Sequence, residues 1–324
     1  MALTDTLMRF REQFAWEPVI ENPSALGRYP RAIVYGMGGS HLGAWLIKHY
    51  GGKPDIFIHR DYGLADEAPS IFEDDTLHIL SSYSGTTEEV LDAAHEVVRC
   101  KLPAVAISTG GTLLDFARER GLPCIQIPET GLEPRMAIGF SMLAIARMLG
   151  DTELESEIRR AGEVTDPARG KDRGAALGSM LEGKIPLVWS SRQNLPLAFI
   201  WKIKMNETAK IPAFCNAMPE LCHNEFTGMD VVDATRSLTD TVHIIMLEDE
   251  SDHVRVQKRM QVAREMLSER GIRVERVALE GEGFGKALSG ALLADWTSLH
   301  LAEYYGVPNP ETPLIAEFKK RMAQ

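Results

Sequence analysis

Short apolar, β-branched runs alternate along this chain with stretches of helical periodicity, and that alternation restricts the fold more than any other feature. Runs at 31–36 (RAIVYG), 55–60 (DIFIHR), 76–83 (TLHILSSY), 104–109 (AVAIST) and 124–128 (CIQIP) read as strands. Amphipathic patterns at 40–50, 86–99 and 112–120, and an apolar one at 137–149, read as helices. Strands joined through helices pair in parallel, because each crossover returns the chain to the same edge, so the sheet is covered on both faces. The polar stretch 150–174 (GDTELESEIRRAGEVTDPARGKDRG) predicts a solvated helix plus linker and a domain boundary at 150. The alternation then resumes, with strands at 185–190, 242–247 and 273–279 and helices at 194–208, 251–270 and 285–304. The expected fold class is therefore α/β, with two similar doubly wound parallel-sheet halves, 1–150 and 151–311. A helix at 313–323, within a closing segment 312–324, ends the chain.

A chain of 324 residues, 44% hydrophobic and 25% charged, suits two domains of ordinary size. Its 46 acidic against 35 basic side chains leave a net charge of -11, which argues against nucleic-acid or anionic-membrane partners. A phosphorylated ligand must then be held by local donors. No apolar run approaches the roughly 20 residues of a membrane span, and MALTDTLMRFREQFAWEP reads as an amphipathic helix without a signal-peptide core, so a cytoplasmic location is expected. Cys100, Cys124, Cys215 and Cys222 lack zinc-site spacing, and the nine histidines form no HxH or HExxH pattern.

The first strand runs into Gly36-Met37-Gly38-Gly39-Ser40-His41, a glycine turn that aims backbone N–H groups and a helix amino terminus at an anion. The dinucleotide fingerprint fails, because His41 stands where its last glycine belongs, although Asp61 sits near the place of a ribose-binding acid. The 76–83 strand ends in Ser81-Ser82-Tyr83-Ser84-Gly85-Thr86-Thr87. The hydroxyls of Ser82, Ser84, Thr86 and Thr87 make a neutral nest suited to a phosphate monoester. Ser108-Thr109-Gly110-Gly111-Thr112 repeats the theme after the next strand. A lone Ser/Thr loop reads as a helix cap; two side by side argue for a ligand.

GMGGS followed by SSYSGTTEE resembles the sugar isomerase, or SIS, domain. GLEPRMAIG, KMNETAK, PELCHNEFTGMD, DWTSLHLAEYYGV and TPLIAEFKKRM then occur in the order typical of the bifunctional phosphoglucose/phosphomannose isomerases. The resemblance covers about residues 30–322 and implies two SIS-type αβα sandwiches. It also implies a hexose 6-phosphate substrate, held by the first glycine turn (Gly39, Ser40) and the hydroxyl loop (Ser82, Ser84, Thr86, Thr87). Aldose–ketose isomerisation needs a group to open the ring, a carboxylate to carry a proton between C2 and C1, and positive charge near the enediolate, with no metal or organic cofactor.

By resemblance, Glu207 of the Asn-Glu motif is the proton shuttle; a solvent-facing helix carboxylate is the alternative. His223 of His-Asn-Glu opens the ring, commonly from the neighbouring subunit of a homodimer, with Glu225 as its orienting partner or a surface charge. Arg135, expected outside the buried stripe of its helix, steadies the enediolate or pairs with Glu129 or Glu133. Lys319 is preferred to Lys320 as the catalytic lysine, because Leu314, Ile315, Phe318 and Met322 mark a buried face. Thr312 matches the small hydroxyl residue that leaves room for rotation about C2–C3. His41 departs from the family's usual small residue, and three placements stay open: towards substrate, in the phosphate space, or in the helix interface. A non-catalytic phosphosugar sensor and an isomerase of another phosphosugar are the competing readings.

Overall fold

The computed structural model describes residues 3–53, 55–65, 75–307 and 312–322. Strands β1 (Ile20–Glu21), β2 (Arg31–Tyr35), β3 (Ile56–His59), β4 (Thr76–Ser81), β5 (Ala104–Ser108) and β6 (Cys124–Gln126) form one sheet in the order β1-β6-β5-β4-β2-β3. Strands β7 (Ile185–Ser191), β8 (Phe214–Met218), β9 (Val242–Glu248) and β10 (Val274–Ala278) form another in the order β10-β9-β7-β8. Among the described residues the pairings are parallel except where the two-residue β1 runs antiparallel along β6. Central β4 is buried at every position from Thr76 to Ser81, the pattern of a strand covered on both faces. Strand order reverses between β2 and β4 in the first sheet and between β7 and β9 in the second. Crevices for ligands open at such points, outside the carboxyl ends of the strands.

The chain divides into two compact units. The first comprises Arg9–Thr165 with Gly283–Leu288; the second comprises Asp166–Glu282 and the chain from Ser289, with the amino-terminal helix Leu3–Met8. In the first, Ile33, Leu80 and Ala106 of the sheet pack with Val90, Val97 and Leu114 of the covering helices. In the second, Trp189, Met218, Ile244 and Met246 pack with Met260 and Leu267. The helix Gly283–Tyr304 carries the chain from the first unit into the second.

Three regions differ from the sequence reading. The stretch expected to be a solvated helix and linker holds two helices, Thr152–Val164 and Lys171–Met180. The first of these belongs to the first unit. Leu154 and Ile158 are buried, and Glu155 receives Arg147 at 2.7 Å and Arg159 at 2.8 Å. The units therefore part after Thr165, not at 150: one face of this helix packs on the first unit, while Glu153, Glu157, Arg160 and Glu163 stay exposed. Strand β8, FCNAM, has no counterpart in the sequence reading, since it lacks β-branched residues and lies at a sheet edge.

The closing helix, Pro313–Met322, corrects a third expectation. Its supposed buried face is open: Leu314 is 79% exposed and Phe318 63%, and no residue of the helix is buried. Taking roughly 100° per residue, Leu314, Ile315, Phe318 and Met322 do share one stripe, with Lys319 on its border and Lys320 opposite. Periodicity specifies a face but not the surface that meets it. Residue 323, the expected end of this helix, lies outside the described residues.

Candidate active site

At the switch point of the first sheet, the turns after β2 and β4 are tied together. Ser81 Oγ donates to the Ser40 carbonyl at 2.9 Å, and the Tyr83 amide donates to Ser40 Oγ at 2.9 Å. Ser40 thus links the two turns, its hydroxyl oxygen accepting from the neighbouring loop. Ser82, fully buried, bonds Thr87 Oγ1 at 2.8 Å, while exposed Ser84 and Thr86 bond each other at 3.0 Å. Ser84, Thr86 and half-buried Thr87 are left at the surface, at the amino end of helix Glu88–Arg99. That end carries partial positive charge and unsatisfied N–H groups, so the arrangement suits a small anion.

The second hydroxyl loop serves differently from its sequence reading. Ser108 Oγ donates to the Gly110 carbonyl at 2.7 Å and Thr109 Oγ1 to the Tyr83 carbonyl at 2.7 Å. It buttresses the first loop and offers the hydroxyls of Ser108 and Thr109 to the protein.

Arg135 lies in the short turn Pro134–Met136 and is only 1% exposed, against the expectation that it would stand clear of the core. The first glycine turn packs closely on the backbone of this segment. A Cβ on Gly39 would fall 2.6 Å from the Pro134 carbonyl carbon and 2.7 Å from the Arg135 amide nitrogen. The guanidinium lies 3.5 Å from the half-buried Glu133 carboxylate. Burial, aided by nearby Glu133 and Glu129 and opposed by a bond with Thr130, lifts the Tyr83 phenol above its usual pKa. One structural neighbourhood therefore gathers Gly39, Ser40, Ser82, Ser84, Thr86, Thr87 and Arg135. His41 turns inward. It is 1% exposed and packs on Trp45 with ring centroids 5.6 Å apart, and burial with Arg60 nearby holds its pKa down to about 3.

In the second unit, Glu207 ends the helix Leu195–Glu207 and is half-buried. Asn206 donates to the Ile211 carbonyl at 2.9 Å and Lys210 to the Glu207 carbonyl at 2.5 Å, which fixes the turn out of the helix. One turn earlier, Lys204 is buried and meets Asp295 at 2.5 Å, anchoring this helix on Gly283–Tyr304, a pair that sequence reasoning misses. His223 ends a short turn, Glu220–His223, after β8 and is exposed. Glu225 accepts from Trp189 Nε1 at 2.7 Å and from Asn216 Nδ2 at 2.6 Å, so it is not a free surface charge. Both Glu207 and His223 belong to this unit, yet they stand at opposite ends of β8. The helix ending in Glu207 runs back against parallel strands β7 and β8 and delivers the chain to the amino end of β8, whereas His223 follows its carboxyl end. The strand between them is itself on the order of 15 Å long. Lys319 and Thr312 lie in the closing segment, Lys319 fully exposed and Thr312 half-buried.

Two parallel α/β units, the first with a neutral hydroxyl nest at its switch point, define a two-unit SIS-type protein. A family profile described as the bacterial phospho-glucose isomerase C-terminal SIS domain matches residues 171–322. The chain is 30% identical over 321 residues, 97% of its own length and 96% of the relative's, to the bifunctional phosphoglucose/phosphomannose isomerase of Aquifex aeolicus (strain VF5). It belongs to the bifunctional phosphoglucose/phosphomannose isomerase family. Solved structures establish the same fold. A hypothetical protein from Thermus thermophilus aligns with TM-score 0.69 at 16% identity, covering 99% of this chain and 89% of that one. Tagatose-6-phosphate ketose/aldose isomerase from Escherichia coli aligns with TM-score 0.63 at 16% identity, covering 96% and 95%.

Proposed function

We propose that this chain is a cofactor-independent aldose–ketose isomerase that interconverts glucose 6-phosphate and mannose 6-phosphate with fructose 6-phosphate through a cis-enediolate. The observation that carries the reading is the neutral, surface-facing hydroxyl loop at the carboxyl end of β4, in a chain 30% identical over 97% of its length to an isomerase of that name.

Ser84, Thr86, Thr87 and the first N–H groups of helix Glu88–Arg99 hold the phosphate, with Gly39 and Ser40 shaping the adjoining turn. Glu207 moves the proton between C2 and C1. The guanidinium of Arg135 offsets charge on the enediolate oxygens, and its burial supports that role, since a desolvated cation acts more strongly on developing charge. His223 takes a proton from a sugar hydroxyl and returns one to the ring oxygen during opening; Lys319 assists there or positions O5. Thr312 leaves room for rotation about C2–C3, so that both C2 epimers react.

The separation of Glu207 and His223 along the second unit supports a shared site, in which His223 serves the substrate held by a second copy and the protein is at least a homodimer. Incubation with each hexose 6-phosphate in deuterated water, followed by NMR, tests the reading. Deuterium entering at C1 or C2 with interconversion of all three sugars is expected. Binding without exchange would leave a phosphosugar-binding module instead.

A further inference from the structure

His223 is exposed and makes no hydrogen bond among the described residues, yet the backbone around it is held from several sides. Glu225, two residues on, sends one carboxylate oxygen to the indole N–H of Trp189, a fully buried residue of β7, and the other to the side-chain amide of Asn216 on β8. The two strands are neighbours, with Trp189 paired directly to Asn216. A single carboxylate thereby clamps the His223 loop across two adjacent strands at the carboxyl edge of the second sheet. Beside it Leu221 is buried, Met229 nearly so, and Phe226 tilts against Trp189 with centroids 6.3 Å apart. The Asn224 side chain accepts from the Glu225 amide at 2.5 Å and donates to Glu220 at 3.0 Å, closing the turn that contains the histidine.

We propose that Glu225 is a positioning residue for the isomerisation: through Trp189 and Asn216 it holds the His223 loop in the one arrangement that presents the imidazole outward. The inference rests on the ring-opening role given above to His223. A carboxylate suits the task because it has only acceptors, and both strands offer donors; an amide would turn an N–H group against one of them. A loop held by apolar contacts alone would keep its place on the unit but not the direction of its exposed side chain.

A double-mutant cycle on the full chain tests this. Glu225→Gln should lower kcat on cyclic glucose 6-phosphate by about tenfold or more with KM nearly unchanged, since the phosphate loop lies elsewhere in the chain. Proton exchange at C2 of substrate supplied in the open-chain form should stay near the wild-type rate. In His223→Ala, adding Glu225→Gln should cause no further loss of kcat, because a residue acting only through the imidazole has nothing left to position. Losses that multiply, or open-chain exchange that falls along with ring opening, would overturn the proposal and make Glu225 a general structural residue. Wild-type activity in His223→Ala alone would overturn the histidine assignment itself, an outcome readily told from the first. If Glu225→Gln does not fold, Asn216→Ala, which removes one donor from a half-buried position, enters the same cycle with the same expected non-additivity.

Discussion

Gly85 and Gly110 meet backbone to backbone: a Cβ on residue 85 would lie 1.8 Å from the Gly110 carbonyl oxygen. Gly85 also has φ +69°, a conformation costly for other residues. The hydroxyl loop keeps its shape because two glycines let the turns after β4 and β5 touch. Gly85→Ala is expected to cost more than about 2 kcal/mol from the clash and the left-handed backbone together. Urea unfolding and competition by inorganic phosphate check this: stability falls and phosphate no longer competes with substrate.

The two hydroxyl loops should respond differently to losing a hydroxyl. Ser84→Ala is expected to raise KM several-fold with little change in melting temperature, since the group is exposed and a phosphate bond favours ground and transition states alike. Thr109→Ala should instead cost about 1 kcal/mol of stability, because its hydroxyl serves the Tyr83 carbonyl. Paired kinetics and thermal unfolding decide; a KM effect in Thr109→Ala equal to that in Ser84→Ala would assign both loops to the ligand.

Glu207→Gln keeps volume and removes the base. Turnover is expected to fall on the order of 10²-fold or more while phosphosugar binding persists. Near-normal turnover would remove Glu207 from the mechanism.

Subunit mixing follows from the placement of Glu207 and His223 at opposite ends of β8. Equal amounts of inactive Glu207→Gln and inactive His223→Ala chains, allowed to exchange, should recover roughly a quarter of wild-type activity, as half the dimers are mixed and each has one intact site. No recovery after proven exchange would put both residues in one chain's site.

Acid should loosen the first unit through His78. It is fully buried on β4, its Nδ1 lies 2.9 Å from the Tyr35 hydroxyl, and burial lowers its pKa from 6.5 to about 4. The unfolded chain takes up this proton below pH 6.5 and the folded chain only near 4. The contribution to stability is therefore whole above 6.5, is lost as pH falls through that window, and changes no further below about 4. The loss is on the order of 3 kcal/mol. In His78→Gln, urea unfolding across this range should show a shallower pH dependence by up to about 1.2 kcal/mol per pH unit near the middle of the window, around pH 5.

The alternating runs determined most of both sheets, though not the edge strands β1 and β8, because period and length belong to local sequence: β2, β4, β5, β7 and β9 fall where apolar spacing put them. The hydroxyl nest was legible for the same reason, since Ser82 to Thr87 is one contiguous loop whose chemistry depends on its own residues. What only the tertiary structure decided are questions of partnership. Arg135 is buried on a segment whose backbone packs against a glycine turn nearly a hundred residues earlier in the chain. Thr109 gives its hydroxyl to the next loop, and Glu225 reaches two strands that precede it in the chain. The helix Thr152–Val164 buries Glu155 by pairing it with Arg147 and Arg159. The stripe of Leu314, Ile315, Phe318 and Met322 shows the limit most plainly: helical spacing gathered four apolar side chains on one face, and whether anything covers that face depends on a surface distant in sequence, which no local period encodes.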